Sequence, residues 1–123
     1  MAESGQAPDI RVAIVEDRVR TREGIQALID GTPGYQCAGS FGSMEEALDA
    51  IDRDPPKVVL LDIALPGMSG IEGIRRLKER YPGMLLMMLT VYDGLPSYVR
   101  MSSVTQRSPL PMIRRTVNRF LFG

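Results

Sequence analysis

Residues 58–70 read VVLLDIALPGMSG, and the passage from Leu61 to Asp62 decides the fold. Val58-Val59-Leu60-Leu61 is apolar at every position, without the in-and-out alternation of a sheet that faces water on one side. A continuous apolar run of this length suits a parallel strand covered by helices on both faces. The chain leaves the run through a carboxylate, Asp62, and Pro66-Gly67 signals a turn before the next amphipathic segment.

Working outward, two similar runs appear: Val12-Ala13-Ile14-Val15, and Met84-Leu85-Leu86-Met87-Met88-Leu89 leading into Thr90-Val91-Tyr92. Tyr35 to Ala38 is a weaker strand candidate. Helical segments fall between. The clearest is Ser43 to Asp52, where Ser43 caps the start, Glu46 reaches back as in a capping box, and Met44, Ala47, Leu48 and Ile51 form one apolar stripe. Pro55-Pro56 stops it. A second helix carries Ile25, Leu28 and Ile29 and ends near Gly31; a third carries Ile71, Ile74 and Leu77 and ends at Tyr81-Pro82-Gly83. The order β-α-β-α-β-α-β implies right-handed crossovers and an open, doubly wound parallel sheet.

A chain of 123 residues with 44% hydrophobic and 24% charged residues is an ordinary globular balance, long enough for one core. The net charge of zero gives no general field for nucleic acid or membrane. No apolar run approaches the roughly 20 residues of a membrane span, and MAESGQAPDI lacks the form of a secretory signal. A lone Cys37 without histidine excludes an internal disulfide and the usual zinc sites. The expectation is a cytoplasmic protein.

Ligand crevices of open α/β sheets lie beyond the carboxyl ends of the strands. Glu16-Asp17 follows the first run and Asp62 follows the third strand. If those strands are neighbours, about 4.8 Å apart, the carboxylates converge and resist joint ionisation unless a cation joins them. Mg²⁺ takes such oxygen ligands and pairs them with phosphate. A carboxylate can also act as nucleophile toward phosphorus, and Thr90 ends the fourth run beside the same volume. Singly, each residue is as readily a cap, a turn former or a strand residue; together they favour a metal site.

VAIVED, VVLLDIALPGMSGIEGIRRLKERYP and MLLMMLTVYD together resemble the receiver domain of bacterial two-component response regulators, particularly those coupled to a LuxR/NarL-type DNA-binding domain. The resemblance spans residues 10–93 and implies a flavodoxin-like sheet of order 2-1-3-4-5. It implies that Asp62 accepts a phosphoryl group from a sensor histidine kinase. Asp17, Asp62 and the backbone carbonyl of Ala64 would hold Mg²⁺, with Glu16 acting through water. Thr90 would be the switch hydroxyl that turns toward the phosphate and shifts a two-state population. Transcription would be regulated through an output domain outside this chain. The chain would not be an enzyme beyond weak self-catalysed phosphotransfer and dephosphorylation. Homodimerisation stays open, while direct nucleic-acid binding and membrane attachment are not expected.

The pattern fails after residue 93. All fifteen acids lie between Glu3 and Asp93 beside ten basic residues, whereas residues 94–123 hold five arginines and no acid. The family's fifth strand ends in a lysine, yet the only lysines are Lys57 and Lys78. The sequence therefore divides into a flexible N-terminus over 1–9, a receiver core over 10–93 and an atypical segment over 94–123. Three readings of that segment stand: a frame-shifted or non-native end, which is favoured; a folded substitute in which Ile113, Val117, Phe120 and Leu121 form a helix; or a partner- or anion-binding stripe with Arg114, Arg115 and Arg119. Arg114 or Arg115 would stand in for the lysine imperfectly, and a missing fifth strand would leave an exposed sheet edge.

Overall fold

The computed structural model describes residues 9–62, 65–92, 97–105 and 112–122. Along the chain run β1 (Ile10–Val15), α1 (Val19–Asp30), β2 (Tyr35–Phe41), α2 (Met44–Arg53), β3 (Val58–Asp62), α3 (Gly70–Arg80), β4 (Leu85–Tyr92), β5 (Ser97–Thr105) and β6 (Met112–Phe122). They form one sheet of order β2-β1-β3-β4-β5-β6. The first four strands are mutually parallel, as their apolar runs predict.

Burial on both faces follows the strand period of two. Ala13, Val15, Val59, Leu61, Leu86 and Met88 meet Met44, Ala47, Leu48 and Ile51 of α2 and Ile74 and Leu77 of α3. The intervening positions Val12, Ile14, Leu60 and Leu89 meet Ile25 and Ile29 of α1 on the opposite face. Each of these strand residues is thus committed to one helix layer or the other. Leu28 and Ile71, read as members of the helical stripes, are exposed instead.

Local chemistry fixes the helix starts. Ser43 Oγ accepts the Glu46 amide at 3.2 Å. The Glu46 carboxylate reaches back to the amide of Gly42 at 3.3 Å, one residue beyond the Ser43 amide that a capping box engages. Ser69 caps α3 in the same way, accepting the Glu72 amide at 3.2 Å. The sequence carries the same Ser-x-x-Glu pattern there, Ser69-Gly70-Ile71-Glu72.

The C-terminal part departs from expectation. β5 pairs antiparallel with β4, from Tyr98 opposite Tyr92 to Ser103 opposite Met87. Four residues separate β4 from β5, whereas a parallel return needs a crossover of roughly a dozen or more. An antiparallel return is the one such a short connection permits. Ile113, Val117, Phe120 and Leu121 lie in strand β6, antiparallel to β5, and not in a helix. The exposed edge expected at β4 is accordingly covered, and the outermost strand on that side is β6. The N-terminal stretch expected to be flexible lies, except for Asp9, outside the described residues.

Candidate functional site

The register of the sheet brings the acidic residues together. Val15 pairs with Leu61 across β1 and β3, so the residues that follow each, Glu16 and Asp62, leave neighbouring strands at the same level. Carboxylate oxygens of Glu16, Asp17 and Asp62 all lie within 4.8 Å of one another. The convergence expected from the strand ends is present.

The three groups differ in depth. Glu16 is fully buried, Asp62 is half-buried and Asp17 is exposed. One Glu16 oxygen, Oε2, accepts the Arg18 amide at 2.9 Å and shapes the turn into α1. The other, Oε1, is buried without a hydrogen-bond partner. Burial pushes the Glu16 carboxyl up from 4.5 to about 7; the Arg18 amide opposes this, and the neighbouring Asp62 and Asp17 add to it. Arg22 ties the same turn from α1, donating to the Glu16 carbonyl at 2.8 Å.

A capping role explains little of this. No side chain caps α1, whose first turn also lacks an acid, so Asp17 is not there to start the helix. An orphaned buried carboxylate oxygen next to two further carboxylates is costly unless a cation or proton occupies the shared space. The donor set is all oxygen, which suits a hard divalent ion and not a thiophilic one.

The other expected residues fall as follows. Leu89 pairs with Asp62, and Thr90 is the next residue of β4, exposed. Thr90 does not end its strand, which runs on to Tyr92. Ala64 lies outside the described residues. Lys57 precedes the start of β3, at the end of the strand opposite Asp62. Lys78 donates to the Met84 carbonyl at 3.3 Å, at the junction between α3 and β4. Arg114 and Arg115 belong to β6, whose backbone stands three strands from β3, roughly 14 Å at the usual strand spacing. Arg100, not singled out from the sequence, pairs with Thr90 across β4 and β5.

An open α/β sheet with an acidic, cation-suited cluster where β1 and β3 end defines a class of acidic-site α/β domains with the ligand crevice at the strand tips. Within that class, residues 12–106 match the response regulator receiver domain. The chain belongs to that family. It is 30% identical over 90 residues to the transcriptional regulatory protein DegU of Brevibacillus brevis, covering 73% of this chain and 38% of DegU. It is 34% identical over 92 residues to the response regulator GacA of Pseudomonas viridiflava, covering 75% of this chain and 43% of GacA. The chain thus spans about two fifths of the length of these curated relatives. A crystal structure of a LuxR-family two-component response regulator from Aurantimonas sp. SI85-9A1 superposes with a TM-score of 0.64 at 29% identity, covering 70% of this chain and 61% of that one. The match runs past residue 93 to residue 106, into β5 and just beyond. Among the described residues no helix is long and apolar enough to cross a membrane.

Proposed function

We propose that this chain is a phosphoacceptor module of two-component signalling, in which Asp62 takes a phosphoryl group from a sensor histidine kinase. The observation that carries the proposal is the convergence of Glu16, Asp17 and Asp62 within 4.8 Å, with Glu16 Oε1 buried and unpartnered. In the reaction an Asp62 carboxylate oxygen attacks phosphorus and forms an acyl phosphate as the bond from phosphorus to the kinase imidazole breaks; the released imidazole takes up a proton. Asp17 and Asp62, with the Ala64 carbonyl, would hold Mg²⁺ directly and Glu16 through water. The ion, when bound, neutralises charge on the phosphoryl oxygens.

The chain's own groups prepare the step. Glu16 lines the floor of the site; the Arg18 amide holds its Oε2 and Arg22 holds its backbone carbonyl. Asp62 projects from the end of a strand whose residues are packed on both faces, so its carboxylate starts from a fixed backbone. Thr90 stands one position beyond the residue that pairs with Asp62, and in this reading its hydroxyl responds to the added charge. Control of transcription through an output domain, and residence in the cytoplasm, belong to the same reading.

Incubation with Mg²⁺ and a small phosphodonor is expected to add one phosphoryl group by intact mass, and none to Asp62→Asn. No gain in the parent chain, or an undiminished gain in the variant, overturns the proposal. A second reading is an interaction module that no longer switches. It is favoured by the position of both lysines away from the strand tips. It requires phosphorylation or Mg²⁺ binding that leaves the Thr90 resonances unmoved in NMR spectra.

A further inference from the structure

We infer that Glu45 is a positioning residue for the loop that follows Asp62, fastening it to the first turn of α2. The inference rests on the phosphoacceptor reading for its consequence, but its geometry is independent of that reading. At its near end the segment is held by β3, where Asp62 pairs with Leu89 of β4. At its far end the anchor lies outside the sheet: Glu45 Oε2 accepts the Met68 amide at 3.2 Å. These residues are 23 apart in the chain and belong to different elements.

Gly67 confirms how closely the carboxylate is seated. Its φ of +72° lies in the left-handed region that glycine adopts freely. A Cβ at Gly67 would also stand 2.8 Å from Glu45 Oε2 and 3.5 Å from Glu45 Oε1. Glycine therefore meets two demands there, the turn and the approach of Glu45. Beneath the contact, the fully buried Met44 packs where a Cβ on Gly73 would lie, which sets the first turn of α2 close against α3. Ser69 then starts α3 immediately after Met68. Asp62, Met68 and Ser69 are each held by a contact of their own, so both ends of the segment are fixed beside the acidic cluster.

An acid in the first turn of a helix is also favourable through the helix dipole, by a few tenths of a kcal/mol to about 1 kcal/mol. Glu46 shares that benefit from the next position, but its carboxylate accepts from the Gly42 amide instead. The comparison of Glu45 with Glu46 separates positioning from mere helix stabilisation.

The test uses Glu45→Ala, Glu45→Gln and Glu46→Ala in the full chain. The readouts are the Met68 amide shift with its exchange in water, and Mg²⁺ titration followed by NMR. Glu45→Ala should move the Met68 amide upfield, speed its exchange and weaken Mg²⁺ binding roughly tenfold, the low end for groups that orient metal ligands from behind. Glutamine retains an acceptor oxygen, so Glu45→Gln should restore both. Glu46→Ala should affect neither. An unchanged Met68 amide in Glu45→Ala, or unchanged Mg²⁺ affinity once that bond is lost, overturns the inference. A parent chain that binds no Mg²⁺ overturns the phosphoacceptor reading, and the latch then stands or falls on the Met68 amide alone.

Discussion

The half of the sheet built from β1 to β4 and the ribbon of β5 and β6 share a hydrogen-bonded ladder but follow different rules. Parallel strands require crossovers, and their helices bury both faces, so residues 12–15, 58–61 and 86–89 are all tied to one layer or the other. The ribbon returns through short connections and joins the rest of the sheet through one pairing, with β4. Charge divides the same way, with every acid before residue 94 and a net basic segment after it. The acidic cluster falls in the first half: strand tips fixed from both faces can hold three carboxylates in one place, which a two-stranded ribbon does not do unaided.

The sharpest break in the comparison is in stability. Ile14→Ala removes a fully buried side chain from the central layer and should cost about 2–5 kcal/mol in urea unfolding. Ending the chain after residue 106, which removes β6, should cost less. A larger loss from the truncation would make the ribbon an integral part of the core.

Acidity probes the site side of the contrast. Glu16 titrates near 7 in the fold against an ordinary 4.5. Between those values the folded state holds more protons than the unfolded chain, so the Glu16 contribution to stability of the metal-free protein should be fully present below 4.5 and fall as pH rises toward 7. Each pH unit in that window is worth up to about 1.4 kcal/mol. Thermal melts at several pH values should show the slope, and Glu16→Gln should flatten it. A slope unchanged in that variant would assign it elsewhere.

Smaller effects test the packing around the loop. Gly73→Ala places a methyl group into Met44 and should cost about 1–3 kcal/mol by overpacking. Ser69→Ala removes the α3 cap and should cost about 1 kcal/mol. Both are measured by chemical denaturation, and equal losses from the two would argue that Met44 yields easily.

Much of this was legible in advance because several signals agreed on the same elements. Continuous apolar runs, caps and stops placed β1, β3, β4 and α2, and carboxylates after Val15 and Leu61 placed the site once parallel neighbours were assumed. Exposure of Leu28 and Ile71 was not legible, since periodicity does not say how wide a helix face its neighbours cover. The apolar spacing of Ile113, Val117, Phe120 and Leu121 suits a helix, yet the residues form a strand because pairing with β5 outweighs a local preference. Glu45 was invisible as a loop anchor because its partner is a backbone amide 23 residues away, which no spacing rule reports.

The account depends most on Glu16, Asp17 and Asp62 sharing one cation. Titration with Mn²⁺ in place of Mg²⁺, followed by NMR, reads this directly, because the paramagnetic ion broadens resonances according to their distance from it. Signals of residues 16–18 and 62 should vanish first, while those of β6 persist, and added Mg²⁺ should restore them. Broadening that begins elsewhere, or that spares either Asp17 or Asp62, would contradict the account.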